Sequence, residues 1–185
     1  MKYCGLILHK KNVMTQTILF NKRPEGAPTS DSFKFIEEAV GEPQEGELLV
    51  EPRYVSVDPY LRGRMNDTKS YVPPFQVGEP MTSGVVGEVI TSKNENFKAG
   101  DFVSKVMPWK QQQVITTDDL QKVDANQAPL SAYLGVLGMT GLTAYNGLME
   151  IGKPQKGETL LISGAAGAVG SIVGQIGKIL GLRVV

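Results

Sequence analysis

The chain has 185 residues, of which 41% are hydrophobic and 21% charged, as in ordinary globular proteins. Lys and Arg together number 19, and so do Asp and Glu, so the zero net charge gives no reason to expect nucleic acid or an anionic membrane as partner. One cysteine, Cys4, and one histidine, His9, exclude an internal disulfide framework and leave too few soft ligands for a zinc site. We expect no metal cofactor. The short apolar run at residues 5–8 predicts neither a signal peptide nor a membrane span, so we expect a cytoplasmic protein.

Residues 1–124 are punctuated by Pro and Gly, and their apolar runs are short and rich in Val and Ile. The clearest run, residues 85–90, is dominated by β-branched side chains and is followed by a polar loop over residues 94–101. The predicted strands are Tyr3–Leu8, Phe33–Val40, Glu47–Val57, Gly84–Ser92, Asp101–Val106 and Gln112–Thr116. Short strands with turn signals between them predict a small, antiparallel, barrel-like β domain.

From Asn126 onward the pattern changes, because long apolar segments with helical spacing replace the short runs. The first predicted helix has Thr140 as its N-cap, and Gly152 and Pro154 close it. Its predicted apolar face consists of Leu142, Tyr145, Leu148 and Met149. This helix opens a second structural unit.

A strand, a glycine-rich turn, a helix and another strand then follow in direct succession. The first strand is predicted over Thr159–Ser163. The helix is predicted over Val169–Leu180, Gly181 ends it, and the second strand begins at Leu182. Such a βαβ unit belongs in a parallel, doubly wound sheet, so the predicted fold class is mixed α/β. Because a lone βαβ unit leaves its sheet uncovered, we expect either further residues after Val185 or a partner chain to cover it.

The glycine-rich turn over residues 163–170 matches the dinucleotide fingerprint G-x-G-x-x-G, with Ala165 at its first position. Ala165 suits that position if its φ is negative. Gly167 at the second position lets the main chain approach a pyrophosphate, and Gly170 at the third lets the helix pack closely against the strand. Unpaired N–H groups at the helix start, with a partial charge of about +0.5, attract phosphate. The alternative is a tight turn without a ligand, but the strand and helix on either side favour dinucleotide binding.

Three motifs occur in order along the chain, over residues 56–62, 138–145 and 157–176. They read Ser-Val-Asp-Pro-Tyr-Leu-Arg, Gly-Met-Thr-Gly-Leu-Thr-Ala-Tyr, and a segment from Gly-Glu-Thr through the glycine-rich turn to Gly-Gln-Ile. With these motifs the sequence resembles the zinc-independent leukotriene B4 dehydrogenase, or prostaglandin and alkenal (curcumin-type) reductase, branch of the medium-chain dehydrogenase/reductase superfamily. The resemblance implies a GroES-like N-terminal catalytic domain over residues 1–125. It implies the first part of an NADP-binding Rossmann domain over residues 126–185.

The resemblance also implies an activity, the NADPH-dependent reduction of the C=C double bond of α,β-unsaturated ketones and aldehydes by hydride transfer. The substrate is then a small enone or enal, the cofactor is NADP(H), and the protein is a homodimer. The residue that separates NADP from NAD would follow the second strand, so the preference for NADP rests on the resemblance. The tyrosine credited with catalysis in the family lies beyond Val185, so the catalytic residue is unassigned and we expect this chain alone to be inactive.

Positions within the motifs imply the site residues. The cofactor-binding residues are Gly167, Ala168, Val169, Gly170, Met139 and Thr143. The substrate-binding residues are Tyr54, Tyr60 and Tyr71, the last on a proline-bounded loop expected to flank the cleft. Plain structural roles are the alternatives: Met139 and Thr143 then pack a helix start, and the tyrosines are core or surface-loop aromatics.

Two charged residues in the first motif are predicted to be structural. The carboxylate of Asp58, just before Pro59, is expected to accept hydrogen bonds from nearby main-chain N–H groups and fix the turn, with Arg62 close by. Two other functions stay open for the chain as a whole. One is a zeta-crystallin-like quinone reductase on the same fold. The other is a non-catalytic folding or assembly module, because half a Rossmann domain holds at most half a dinucleotide site.

Overall fold

The structure, a computed structural model, describes residues 13–185. The predicted strand Tyr3–Leu8, with Cys4 and His9, lies outside the described residues. The strands are β1 (Met14–Phe20), β2 (Phe33–Ala39), β3 (Glu47–Val55), β4 (Thr82–Ser92), β5 (Phe102–Pro108), β6 (Gln113–Thr116), β7 (Gln121–Val123), β8 (Thr159–Leu160) and β9 (Arg183–Val184). The helices are α1 (Tyr60–Arg64), α2 (Met139–Asn146) and α3 (Gly170–Ile179), with 3-10 turns at Ser30–Ser32 and Leu130–Leu134 and a π-helical turn at Gly147–Gly152. The mixed α/β fold class is confirmed.

The strands before residue 124 are all antiparallel and form two parts. β1 and β2 make a two-stranded ribbon, in which Phe20 pairs with Phe33. β3 to β7 form a five-stranded sheet in the order β6-β3-β4-β5-β7. The ribbon is joined to this sheet through main-chain bridges from Thr17 to Lys110 and from Leu19 to Pro80. The five strands predicted between residues 33 and 116 are confirmed, with ends that shift by at most two residues.

β1 is not among the predicted strands, because its inward side chains are polar. Thr15 and Thr17 are buried whereas Met14 is exposed, so the alternation of polar and hydrophobic residues is the opposite of the one that predicts a half-buried strand. The Thr15 hydroxyl accepts a hydrogen bond of 2.8 Å from the Gln112 N–H, and the Thr17 hydroxyl donates to the Glu38 carboxylate. These partners satisfy the buried hydroxyls of Thr15 and Thr17, and the apolar residues of the strand that pack inward are Ile18 and Phe20 at its end.

Two apolar clusters hold the β structure together. The first packs across β3, β4 and β5 and consists of Leu48, Val50, Val85, Val89, Val103 and Met107. The second lies where α1 meets the ribbon and consists of Phe20, Leu61, Met65, Phe75 and Met81. Trp109 packs against the second cluster, and its indole N–H donates to the Ser83 hydroxyl at 2.8 Å. Because Leu61 belongs to this cluster, α1 and its first residue, Tyr60, are fixed to the core.

The predicted N-cap of α2 is wrong. The cap is Gly138, and Thr140 lies inside the helix, where its hydroxyl donates to the Gly135 carbonyl at 2.9 Å. Gly138 is needed because a Cβ there would lie 2.4 Å from the Tyr133 carbonyl oxygen. At Gly141 a Cβ would lie 1.8 Å from the Val136 carbonyl oxygen. The start of α2 is therefore set by main chain packing on main chain rather than by a capping hydroxyl.

The helical segment that begins with α2 continues through the π-helical turn to Gly152, as predicted. It ends at Lys153, which has a left-handed conformation with φ 46° and ψ 51°. The predicted apolar face is divided in this chain, because Leu148 is buried whereas Leu142 and Tyr145 are exposed. Only the part of the predicted apolar face around Leu148 packs into the protein interior.

The predicted βαβ unit is confirmed. β8 and β9 are parallel, with Leu160 opposite Val184, and α3 lies between them in sequence. α3 ends at the predicted glycine, since Gly181 has a φ of 78° that suits this residue type. Of the predicted strand Thr159–Ser163, only the first two residues form the ladder. Within residues 13–185, no helix combines the length and apolar character needed to cross a bilayer.

Candidate functional site

The glycine-rich turn connects β8 to α3 and is held by its own main chain. The Gly167 N–H donates to the Gly164 carbonyl at 2.8 Å, and Gly164 has a φ of 68°. Ala165 is not among the described residues with a positive φ, which is the condition for alanine at the first fingerprint position. A Cβ at Gly167 would lie 3.1 Å from the Gly164 oxygen, so a side chain at this position meets the turn itself. The turn is exposed over residues 163–168.

The predicted role of Gly170, to let the helix pack closely against the strand, is wrong. A Cβ at Gly170 would lie 2.4 Å from the Gly164 carbonyl oxygen, so this glycine closes the turn rather than bringing the helix to the strand. The close packing of helix on strand occurs one and two turns later. At Gly177 a Cβ would lie 2.7 Å from Leu160 of β8 and 3.2 Å from Val184 of β9. Gly174 allows the same close packing of α3 on the strands. The sequence signal that could have identified Gly174 and Gly177 is the spacing of glycines by three or four residues along α3.

The start of α3 presents unpaired main-chain donors. The N–H groups of Ala168, Val169 and Gly170 have no hydrogen-bond acceptor among residues 13–185. The first bond into the helix runs from the Ser171 N–H to the Gly167 carbonyl at 3.0 Å, and no side chain caps the helix. Donors at a helix start combine with the helix dipole to favour anions. The turn can therefore hold a phosphate group through main chain alone.

Met139 and Thr143, the residues predicted beside the nicotinamide, lie one turn apart on α2. The side chain of Met139 is 77% exposed, so it is not a packing residue in this chain. The Thr143 hydroxyl donates to the Met139 carbonyl at 2.7 Å, which leaves its lone pairs free to accept. α2 packs against α3, the helix that begins at the glycine-rich turn. The structure thus places both residues on the helix that packs against α3.

Of the three candidate substrate tyrosines, two are close enough to interact electrostatically, Tyr60 and Tyr71. Tyr60 is the first residue of α1, and Tyr71 lies on the following loop with 86% of its surface exposed. Burial raises the pKa of the Tyr60 phenol, and the charges of Asp58 and, more weakly, Tyr71 act in the same direction, against that of Arg64. Tyr60 is therefore a neutral phenol at pH 7. Tyr54 is exposed on β3, opposite Val86, and its side chain forms no hydrogen bond or ring contact with any residue from 13 to 185.

The charged residues of the first motif do not pair with each other. Asp58 accepts a hydrogen bond from the Ser56 hydroxyl through its carboxylate, not from main-chain N–H groups as predicted. Its main-chain carbonyl instead accepts from the Leu61 N–H at 3.0 Å and begins α1. Arg62 donates to the Gly26 carbonyl at 2.6 Å and to the Pro24 carbonyl at 3.2 Å. Both residues are structural, as predicted, but through different partners.

Two further arginines, Arg23 and Arg64, surround the loop that carries Tyr71. Arg23 donates to the carbonyls of Met65 and Phe75, and Arg64 donates to the carbonyl of Pro73 at 3.0 Å. Local sequence patterns carry no signal for these contacts, because the acceptors are main-chain atoms whose residue types do not matter. Among residues 13–185 no three His, Cys, Asp or Glu side chains form a group suited to a metal ion.

Comparison with known proteins gives matches over most of the chain. Residues 16–123 match a family model described as the N-terminal domain of oxidoreductase. The chain is 45% identical over 163 residues to the NADPH-dependent curcumin reductase of Escherichia coli, covering 88% of this chain and 47% of that protein. It is 44% identical over 141 residues to the NADP-dependent 2-alkenal reductase of Nicotiana tabacum, covering 75% of this chain and 41% of that protein.

A solved structure extends the comparison to three dimensions. The crystal structure of CurA from Vibrio vulnificus in complex with NADPH superimposes with a TM-score of 0.82 and 40% sequence identity. That match covers 91% of this chain and 50% of the other. The chain therefore spans about half the length of the curated relatives it matches.

Proposed function

This chain belongs to the zinc-independent branch of the medium-chain dehydrogenase/reductase superfamily, and from that premise we propose that the full-length protein is an NADPH-dependent enone reductase. By full-length protein we mean this chain together with the segment that its relatives have beyond it. The proposed reaction reduces the C=C double bond of α,β-unsaturated ketones and aldehydes. The relatives named as a curcumin reductase and a 2-alkenal reductase support this substrate class.

The observation that carries the proposal is the start of α3 between the two parallel strands. A glycine-rich turn leads into three unpaired N–H donors, and this donor set fits a diphosphate. We assign the diphosphate to the main chain of Gly167, Ala168, Val169 and Gly170. A side chain at Gly167 or Gly170 would fill the turn, so both positions fit a cradle in which the main chain itself meets the ligand.

The other candidate residues act around this cradle. Met139 and Thr143 on α2 are proposed to border the nicotinamide, and the Thr143 hydroxyl has lone pairs free to accept a hydrogen bond. When bound, NADPH supplies the hydride for the reduction. Tyr54, Tyr60 and Tyr71 are proposed to line the substrate site, where a neutral phenol such as Tyr60 suits an uncharged, partly apolar enone.

The proposal is tested by steady-state kinetics of NADPH oxidation with the full-length protein. We expect turnover with an aryl enone, such as 4-phenylbut-3-en-2-one, and little or none with a simple benzoquinone. Faster turnover with the quinone would favour the quinone reductase that shares this fold. No turnover with either compound would remove the enzymatic proposal and favour the non-catalytic module.

Cofactor binding is tested separately by titration of the full-length protein with NADPH. Gly167→Ala brings a Cβ to 3.1 Å from the Gly164 oxygen and into the path of the diphosphate, so the Kd is expected to rise about tenfold or more. Gly147→Ala is the control, because a Cβ there meets nothing within 4 Å. An unchanged Kd for Gly167→Ala would contradict the assignment of the turn.

The proposal includes two further properties implied by the family. One is a homodimer, which sedimentation equilibrium of the full-length protein tests. The other is a cytoplasmic location, which fractionation of the source cells tests. A monomer, or recovery in a membrane or extracellular fraction, would contradict the respective property without affecting the proposed reaction.

A further inference from the structure

The loop that carries Tyr71, residues 66–74, is anchored at both ends in the second apolar cluster. Met65 precedes it and Phe75 follows it, and both are buried. The Phe75 N–H donates to the Arg64 carbonyl at 2.8 Å, which closes the base of the loop. Tyr71 stands between these anchors and is largely exposed. The loop is thus a small projection with a fixed base and an aromatic residue near its middle.

Arg64 joins the returning half of this loop to the core. Its guanidinium carbon lies 3.9 Å from the centre of the Phe75 ring, within the range of a cation–π contact. Its Nε donates to the Pro73 carbonyl at 3.0 Å, and its Nη1 donates to the Thr82 hydroxyl at 3.4 Å. A planar guanidinium can stack on a ring and donate hydrogen bonds from its edge at the same time, whereas the ammonium group of lysine cannot.

The contact with Pro73 reaches Tyr71 through a stiff segment. Pro73 and Pro74 have fixed φ angles, and a residue before proline is restricted to extended conformations. Holding the Pro73 carbonyl therefore limits the positions that Tyr71, two residues earlier, can take. Tyr60 and Arg64 are four residues apart on α1 and so share a face of the helix, and the charge of Arg64 acts on the phenol of Tyr60.

The two neighbouring arginines hold the base and the first residues of the loop, since Arg62 donates to Asn66 and Arg23 lies 3.7 Å from the Asp67 carboxylate. Arg23 donates to the carbonyls of Met65 and Phe75, which are the base of the loop. Arg62 lies on the same helix as Arg64, is half-buried like it, and donates to Pro24, Gly26 and the Asn66 side chain. Within the described part of the chain, the Arg62 side chain forms no hydrogen bond with residues 71–75.

We propose that Arg64 is a positioning residue that holds the loop carrying Tyr71 against α1, the helix that begins with Tyr60, and so determines how well the enzyme accepts bulky enones. This inference rests on the proposed function, because it assigns the two tyrosines to the substrate site. A large enone extends from its double bond far enough to contact the loop, whereas a small one does not. Arg64 therefore affects the Michaelis constant of large substrates more than the chemical step.

The test compares Arg64→Ala with Arg62→Ala in the full-length protein. For 4-phenylbut-3-en-2-one, Arg64→Ala is expected to raise KM about tenfold while kcat changes less than about twofold. For but-3-en-2-one, KM is expected to change less than about twofold, and so is the Kd of NADPH. Arg62→Ala, which removes three hydrogen bonds to main-chain carbonyls, is expected to leave the ratio of the two KM values unchanged.

A double-mutant cycle separates positioning from a general loss of structure. In the Tyr71→Ala background, Arg64→Ala is expected to change KM for the aryl enone less than about twofold, because the residue it positions is absent. Equal effects on both enones, additive effects with Tyr71→Ala, or the same selectivity change in Arg62→Ala would overturn the inference. If the unmodified protein reduces no enone, the proposed function fails instead, so the two failures are distinguishable.

Discussion

The β region, residues 14–123, and the α/β region, residues 138–185, are packed by opposite means. In the β region large apolar side chains fill two clusters, and fully buried residues such as Phe20 and Met81 carry the packing. In the α/β region four glycines lie where a Cβ would come within 2.7 Å of a neighbouring atom, namely Gly138, Gly141, Gly170 and Gly177, whereas the β region has one such glycine, Gly87. Removing atoms should therefore harm the first region, and adding atoms should harm the second.

The largest effect is expected from removing a buried ring in the β region. Phe20→Ala should lower the free energy of unfolding of the full-length protein by about 3–5 kcal/mol, because it leaves a cavity in the second cluster. Phe35→Ala is the matched control, since Phe35 lies on the paired strand β2 but is 60% exposed. Urea unfolding measures both variants, and equal losses would show that burial does not explain the β region.

A smaller effect is expected from adding one methyl group to α3. Gly177→Ala places a Cβ 2.7 Å from Leu160 and should lower stability by about 1–3 kcal/mol through displacement of the helix from β8. Gly147→Ala, with open space around its Cβ, should be neutral or stabilising by up to about 1 kcal/mol. Urea unfolding and amide hydrogen exchange in α3 measure the difference. Similar results for the two variants would contradict the packing described for this region.

The smallest effect concerns the ion pair that joins the ribbon to the sheet. Lys110 lies 2.7 Å from the Glu38 carboxylate, and its hydrogen bond, followed by that of Thr17, lowers the pKa of Glu38. A lowered folded pKa means that the pair stabilises the protein above the unfolded pKa of about 4.3, and that this stability is lost as pH falls through the folded pKa.

Glu38→Gln tests this contribution. Because the Glu38 side chain is 37% exposed, solvent screening limits the loss at pH 7 to less than about 1 kcal/mol. The difference between Glu38→Gln and the unmodified protein should shrink as the pH is lowered below about 4. Urea unfolding at pH 7 and pH 3.5 measures it, and a difference that grows on acidification would contradict a lowered pKa of Glu38 in the folded protein. Glu37→Gln, on the same strand, serves as the control.

Much of the fold could be predicted because its signals are local. β-branched runs predicted four strands of the five-stranded sheet together with β2, and the succession of strand, glycine-rich turn, helix and glycine predicted the βαβ unit. The predictions fail where polar or small residues take the place of an apolar pattern. β1 is missed because Thr15 and Thr17 face inward, and Gly138 replaces Thr140 as the cap because a nearby carbonyl excludes any side chain.

The residues of the candidate site were predictable from sequence, but the contacts around it were not. The residues of the glycine-rich turn and the three tyrosines were predictable from short motifs, and their roles stay predictions that NADPH titration and enone kinetics test. The contacts of Arg23, Arg62 and Arg64 were not predictable, since each joins a side chain to carbonyl groups of residues distant in sequence or to a ring across a loop.

From the order of its residues alone this protein has its strand and helix pattern, its glycine-rich turn and its family. These depend on interactions between residues a few positions apart, which leave a periodic or fixed spacing in the sequence. The reason for each close-packed glycine exists only in the folded chain, and so do the arginine contacts, such as the one from Arg64 to the loop that carries Tyr71. They arise where distant segments meet at van der Waals distance, and no local pattern records which atoms will meet there.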